Sequence, residues 1–131
     1  MADRWIAIVD DDPSVLKALA RLLRSRAFHV RTFESARRFL AALDDFWPSC
    51  LILDLQMPEM TGIELQQHMR SNGIDIPVII FTAHDDASAR SRCEALRPVA
   101  FLSKPLQSDE LFDAIGRAID VSKPSPFPGR R

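Results

Sequence analysis

The stretch Trp5-Ile6-Ala7-Ile8-Val9-Asp10-Asp11-Asp12-Pro13 joins an apolar run to three acids and a proline. A short run without polar interruption suits a strand buried on both faces, and the abrupt change to carboxylates marks its end. Asp12 can cap a helix and Pro13 fits a first helical position. Val15, Leu16, Leu19, Leu22 and Leu23 then recur at helical spacing. The unit is therefore strand, acidic turn, helix.

Outward from this stretch the unit repeats. His29 to Thr32 reads as a weaker strand whose polarity marks an edge, and Ser35 opens a second helix with Phe39, Leu40 and Leu43 on its inner face. Cys50-Leu51-Ile52-Leu53 is another buried run that ends on an acid, Asp54. Thr61-Gly62-Ile63-Glu64 has the capping-box pattern, which predicts a third helix to about Asn72 with Gly73 as its left-handed stop. Its inner face is Ile63, Leu65 and Met69. Pro77 to Phe81 is a fourth strand ending on Thr82, and Val99 to Leu102 a fifth ending just before Lys104-Pro105. Between them Asp86 to Leu96 is helical but thinly apolar, with Ala87, Cys93 and Leu96 as anchors, and is expected to be loosely held. Ser108-Asp109-Glu110 caps a last helix of three turns, with Leu111, Phe112, Ile115 and Ile119 on one face.

Five strands alternating with five helices imply an α/β fold, an open parallel sheet with helices on both faces and right-handed crossovers. The 131 residues suit one domain. Its expected extent is residues 1–121, because from Ser122 the chain turns Pro-rich. Pro124, Pro126 and Pro128 at alternate positions make 122–131 a stiff tail or linker. At 47% hydrophobic and 27% charged the composition is that of a globular protein. Seventeen Lys+Arg against 18 Asp+Glu give a net charge of -1, so no overall field steers the chain to nucleic acid or to an anionic membrane. Cys50 and Cys93 form no C-x-x-C pair, and no hydrophobic signal segment follows Met1, which places the chain in a reducing cytoplasm. The apolar runs are strand-sized, far short of the ~20 residues of a membrane span.

In open parallel sheets ligands bind beyond the carboxyl ends of the strands, where the strand order reverses. That rim is loaded here: Asp10 and Asp11 follow the first strand, Asp54 the third, Thr82 the fourth and Lys104 the fifth. Singly, each has a bland reading: a turn residue for Thr82, a solvated charge for Lys104, a helix cap for the neighbouring Asp12. Five polar groups at the same end of successive strands are a different matter. Three carboxylates in one pocket repel unless cations neutralise them. A divalent ion and the Lys104 ammonium would do so, and with no His or Cys among the candidates Mg²⁺ fits better than zinc. The four glycines are too scattered for a phosphate-cradling loop, so a carboxylate must meet the phosphoryl group directly. Asp54 is the best nucleophile, forming an aspartyl phosphate, with Thr82 placed to hydrogen-bond the phosphoryl group.

Ile8-Val9-Asp10-Asp11-Asp12, Leu53-Asp54-Leu55-Gln56-Met57-Pro58, Phe81-Thr82-Ala83 and Phe101-Leu102-Ser103-Lys104-Pro105 together resemble the receiver domain of two-component response regulators. This is the CheY-like superfamily, and the chain is most similar to its FixJ/LuxR-type branch over roughly residues 4 to 121. The resemblance implies a flavodoxin-like (βα)5 doubly wound sheet of strand order 2-1-3-4-5. It implies a domain phosphorylated by a histidine kinase or histidine phosphotransfer protein, with no turnover activity of its own. By the same resemblance Asp54 is the phosphoacceptor, Asp11 a direct Mg²⁺ ligand, Asp10 a ligand through water, and the Gln56 backbone carbonyl completes the protein's share. Thr82 and Phe101 match the switch pair, Lys104 matches the family's lysine, and Lys104-Pro105 is implied to be a cis peptide. Gln56 and His84 are candidates for tuning phosphoryl lifetime. A phosphorylation-dependent homodimer is among the partners implied.

One departure is Leu96-Arg97-Pro98, where the family usually has a small residue and Gly. No glycine is there to take a left-handed stop, and Pro98 drives Arg97 out of the helical region. Another is that no helix-turn-helix follows, so no direct nucleic-acid binding is expected of these residues. The alternative is the N-terminal receiver of a two-domain DNA-binding transcriptional regulator. More remote readings are a pseudo-receiver that only binds partners and an aspartate-nucleophile phosphatase, for which Pro13 and Ser14 replace the glycine and threonine of D-x-D-G-T.

Overall fold

A computed structural model describes residues 5–43, 47–83 and 86–121. The strands are β1 (Ile6–Val9), β2 (Val30–Phe33), β3 (Cys50–Leu53), β4 (Val78–Thr82) and β5 (Ala100–Ser103). Each is followed by a helix: α1 (Pro13–Ser25), α2 (Ala36–Ala42), α3 (Gly62–Ser71), α4 (Ala87–Glu94) and α5 (Ser108–Val121). All pairings are parallel and the order is β2-β1-β3-β4-β5. This is the flavodoxin-like arrangement that the family resemblance implies, with the polar β2 at an edge.

Alternation along the strands divides the core between the faces. Ala7, Val9, Leu51, Leu53, Val78 and Ile80 face α2, α3 and α4 through Phe39, Leu65, Met69 and Cys93. Ile6, Ile8, Cys50, Ile52, Ile79 and Phe81 meet Leu16, Leu19 and Leu23 of α1 and Leu111, Ala114, Ile115 and Ala118 of α5. The three central strands are buried along their whole length, which is why they read as unbroken apolar runs.

Local chemistry sets the helix starts. The Asp12 carboxylate accepts hydrogen bonds from the Ser14 N–H at 2.9 Å and the Ser14 hydroxyl at 2.7 Å, with Pro13 in the first turn. Thr61 and Glu64 form the capping box that begins α3. Asp86 caps α4 through the Ala89 N–H at 2.7 Å. Two expectations need correction. The last helix runs 14 residues, close to four turns rather than three, because it already includes Ser108 and continues past Ile119 to Val121. And the left-handed residue after α4 is not lost with the glycine: Arg97 itself adopts φ 55°, since Pro98 bars the right-handed helical region and the chain must still turn into β5. The 122–131 tail lies outside the described residues.

Candidate phosphoacceptor site

Parallel pairing in register brings the carboxyl ends of β1 and β3 side by side, with Val9 opposite Leu53. The next residues, Asp10 and Asp54, are thereby placed together at the point where strand order reverses. Both are buried, at 2% and 6% exposure, whereas Asp11 is exposed. Asp10, Asp11 and Asp54 can each offer a carboxylate oxygen such that all three lie within 4.8 Å of one another. The first two sequence motifs thus meet as expected.

The cation comes from β5. Thr82 pairs with Ser103, and the Lys104 N–H donates to the Thr82 carbonyl at 2.8 Å, so the lysine leaves the sheet beside the acids. Its Nζ lies 3.0 Å from Asp10 Oδ2, with the Lys104 side chain 22% exposed and that of Asp10 3%. The other Asp10 oxygen accepts the Asp12 N–H at 2.9 Å, which fixes the acidic turn. The Lys104-Pro105 peptide is cis.

Burial raises the Asp54 pKa above its usual value of 3.8, and the negative charge of Asp10 raises it further. The Lys104 ammonium, a hydrogen bond with the Thr82 side chain and one with the Leu55 backbone oppose that rise without cancelling it. The pocket is therefore short of positive charge although one lysine is already present. Among the described residues its donors are three carboxylates, whose hard oxygens fit a hard divalent cation. Asp12 stands apart: its pKa is lowered, first by the Ser14 side chain, and it works as a helix cap.

Thr82 is fully buried at the end of β4. Phe101, on the neighbouring strand, is half-buried, and the Arg90 guanidinium of α4 sits 4.3 Å over its ring centroid. Gln56 is exposed on the loop after Asp54. His84 lies outside the described residues.

A residue that the motifs alone did not single out is Gly62, the first residue of α3. A Cβ there would overlap the Asp54 carbonyl oxygen and lie 2.9 Å from Leu55 Cα. The Gly62 N–H donates to the Leu55 carbonyl at 2.9 Å. The loop carrying Asp54 is held against the start of α3 by an approach that only glycine permits. The capping box marks Gly62 as the start of a helix but gives no sign of this contact.

Residues 6–116 match the family model for the response regulator receiver domain. The chain belongs to that family. The receiver is 38% identical over 124 residues to the response regulator protein TodT of Pseudomonas putida, a match covering 93% of this chain and 55% of TodT. It is 36% identical over 118 residues to the transcriptional regulatory protein FixJ of Rhizobium meliloti, covering 90% and 58%. Its fold superposes on the crystal structure of FixJ-N with a TM-score of 0.85 at 35% identity, covering 94% of this chain and 98% of that one. The receiver spans about half the length of the curated relatives it matches. Among the described residues no helix is long and apolar enough to cross a membrane.

Proposed function

We propose that Asp54 accepts a phosphoryl group from the phosphohistidine of a histidine kinase or phosphotransfer protein. An Asp54 carboxylate oxygen attacks phosphorus, the phosphorus–nitrogen bond breaks, and the imidazole leaves with the bonding pair. The observation that carries this reading is a buried carboxylate at the strand-order reversal, with two further acids and an ammonium converging on it. Asp11 and Asp54 would hold Mg²⁺ directly, the Gln56 carbonyl would add a ligand and Asp10 one through water; the ion would neutralise charge on the transferring oxygens. Lys104 shares that task from the β5 side. Thr82 exchanges its hydrogen bond with Asp54 for one with the phosphoryl group, and Phe101 turns into the space this opens. Gln56 and His84 are placed in sequence to tune access of water to the acyl phosphate.

The output lies beyond this domain. Relatives about twice as long that are named transcriptional regulatory proteins support a reading in which residues 1–121 are the receiver and 122–131 lead into an effector. A partner protein or a phosphorylation-dependent homodimer would serve the same logic, and the cytoplasm is where a kinase and Mg²⁺ are both at hand.

Incubation with a small phosphodonor and Mg²⁺, followed by intact mass, tests the assignment. One phosphoryl group per chain is expected, lost on chelation and in Asp54→Ala. Labelling of Asp54→Ala as fast as the parent would overturn the choice of nucleophile, and steady release of phosphate from a monoester would favour a phosphatase.

A further inference from the structure

Phe101 on β5 is half-buried and packs against the core cluster on the face covered by α2, α3 and α4. The Arg90 guanidinium of α4 lies 4.3 Å from its ring centroid, within the ~6 Å over which the negative face of an aromatic ring attracts a cation. Arg90 is itself half-buried, so water screens the contact less than it would on an open surface.

The start of α4 fixes where this guanidinium comes from. Asp86 caps the helix through the Ala89 N–H at 2.7 Å, and the Arg90 N–H donates to the Asp86 carbonyl at 2.9 Å, the first bond of the helical ladder. Arg90 thus stands near the end of α4 that follows in sequence from Thr82, the last residue of β4. Among the described residues Cys93 is the one fully buried side chain of α4, and few apolar side chains anchor that helix. A polar side chain laid on the Phe101 ring therefore supplies a tie between α4 and β5 that apolar packing supplies elsewhere in the fold.

We propose that Arg90 is a positioning residue, a latch that holds the Phe101 ring in its half-buried packing and so sets how often the domain visits the other packing before a phosphoryl group arrives. The inference rests on the reading of Phe101 as the ring that turns when Asp54 is phosphorylated. A cation over a ring stabilises only the packing in which the two meet, so it biases the equilibrium without touching the acids or Lys104. Its removal shifts that equilibrium toward the turned ring by about two- to fivefold, the worth of one cation–π contact near the surface.

Titration of the full chain with beryllofluoride, a stable phosphoryl mimic, in Mg²⁺ tests this, with the aromatic ¹³C–¹H signals of Phe101 as the readout. The parent's signals should move and saturate, and Arg90→Gln should reach half-saturation at a concentration about two- to fivefold lower, with Arg90→Lys between the two. In a Phe101→Leu background, read on the Thr82 amide, Arg90→Gln should leave the affinity unchanged, because the latch has no ring to hold. Arg26→Gln, which removes a guanidinium 4.1 Å over the Phe112 ring, should behave as the parent. A parent whose Phe101 signals do not respond would refute the turning ring and the latch with it. Where the parent responds, equal affinity in Arg90→Gln, or a gain that persists in Phe101→Leu, would overturn the latch and leave the turning ring standing.

Discussion

Gly62 and Asp54 show how much of the site depends on single atoms. A methyl group at Gly62 would press on the Asp54 carbonyl and on Leu55 Cα, both backbone atoms that cannot rotate away. Gly62→Ala should therefore destabilise the domain by about 3 kcal/mol, read as a lower denaturant midpoint, and slow phosphorylation by shifting the acceptor. Asp54 poses the opposite case, an ionised group the metal-free fold disfavours. Its folded pKa lies above the usual 3.8, with Asp10 and burial raising it and Lys104 opposing, so between those two values the folded chain binds more protons than the unfolded one. Stability contributed by this group is then present below 3.8 and is lost as pH rises through the folded value. Asp54→Asn should raise the thermal midpoint at neutral pH in chelator, an advantage that fades in acid. A neutral-pH midpoint below the parent's would contradict this electrostatic account. The acids, Thr82 and Lys104 were legible in the sequence because each follows an apolar run. Gly62 was not, since its contact is with the backbone of another segment and leaves no periodic trace.

Helix ends offer an internal comparison. After α3, the Ile74 N–H donates to the Met69 carbonyl at 2.8 Å and Gly73 to Arg70 at 3.3 Å, with Gly73 at φ 71°. After α1 the same pair of bonds recurs, Phe28 to Leu23 at 3.2 Å and Ala27 to Arg24 at 2.9 Å, but with Ala27 at φ 68°. Only glycine takes that conformation without a clash at Cβ. Ala27→Gly should stabilise the domain by about 0.5–1 kcal/mol, after allowing for the looser unfolded chain, and Gly73→Ala should cost about as much. Because nothing lies within 4 Å of a Cβ at Gly73, that pair isolates the backbone term; equal denaturant midpoints for parent and both variants would refute it. The stop at Gly73 could be read in advance from its glycine. Those at Ala27 and Arg97 could not, because tertiary demand for the next strand overrides residue preference there.

Across the whole molecule the anchoring is uneven, and the weak part adjoins the site. α1 buries Leu16, Leu19, Ala20 and Leu23, whereas α4 buries Cys93 alone, with Ala89 and Leu96 partly covered. All four residues of β5, which completes that edge, are only half-buried. Thr82 at the end of β4 and Phe101 on β5 flank this corner, and Arg90 stacks on Phe101 from α4 itself. On the proposed mechanism a phosphoryl group on Asp54 would offer Thr82 a new acceptor, the movement of Thr82 would open room for the Phe101 ring, and turning that ring would break the Arg90 stack. Among the described residues few apolar side chains anchor α4, so a modest preference for one packing would move the population. Lys104 should matter more once the phosphoryl group is present, because the modification adds about one further negative charge to the pocket. Hydrogen exchange with and without a stable phosphoryl mimic should therefore change mainly between residues 83 and 105. In Lys104→Ala the mimic should leave that pattern largely unaltered. Changes confined to α1 and α2 would refute the route through Thr82 and Phe101 while leaving Asp54 as the acceptor, because the chemistry at the strand ends and the response at α4 are separate links.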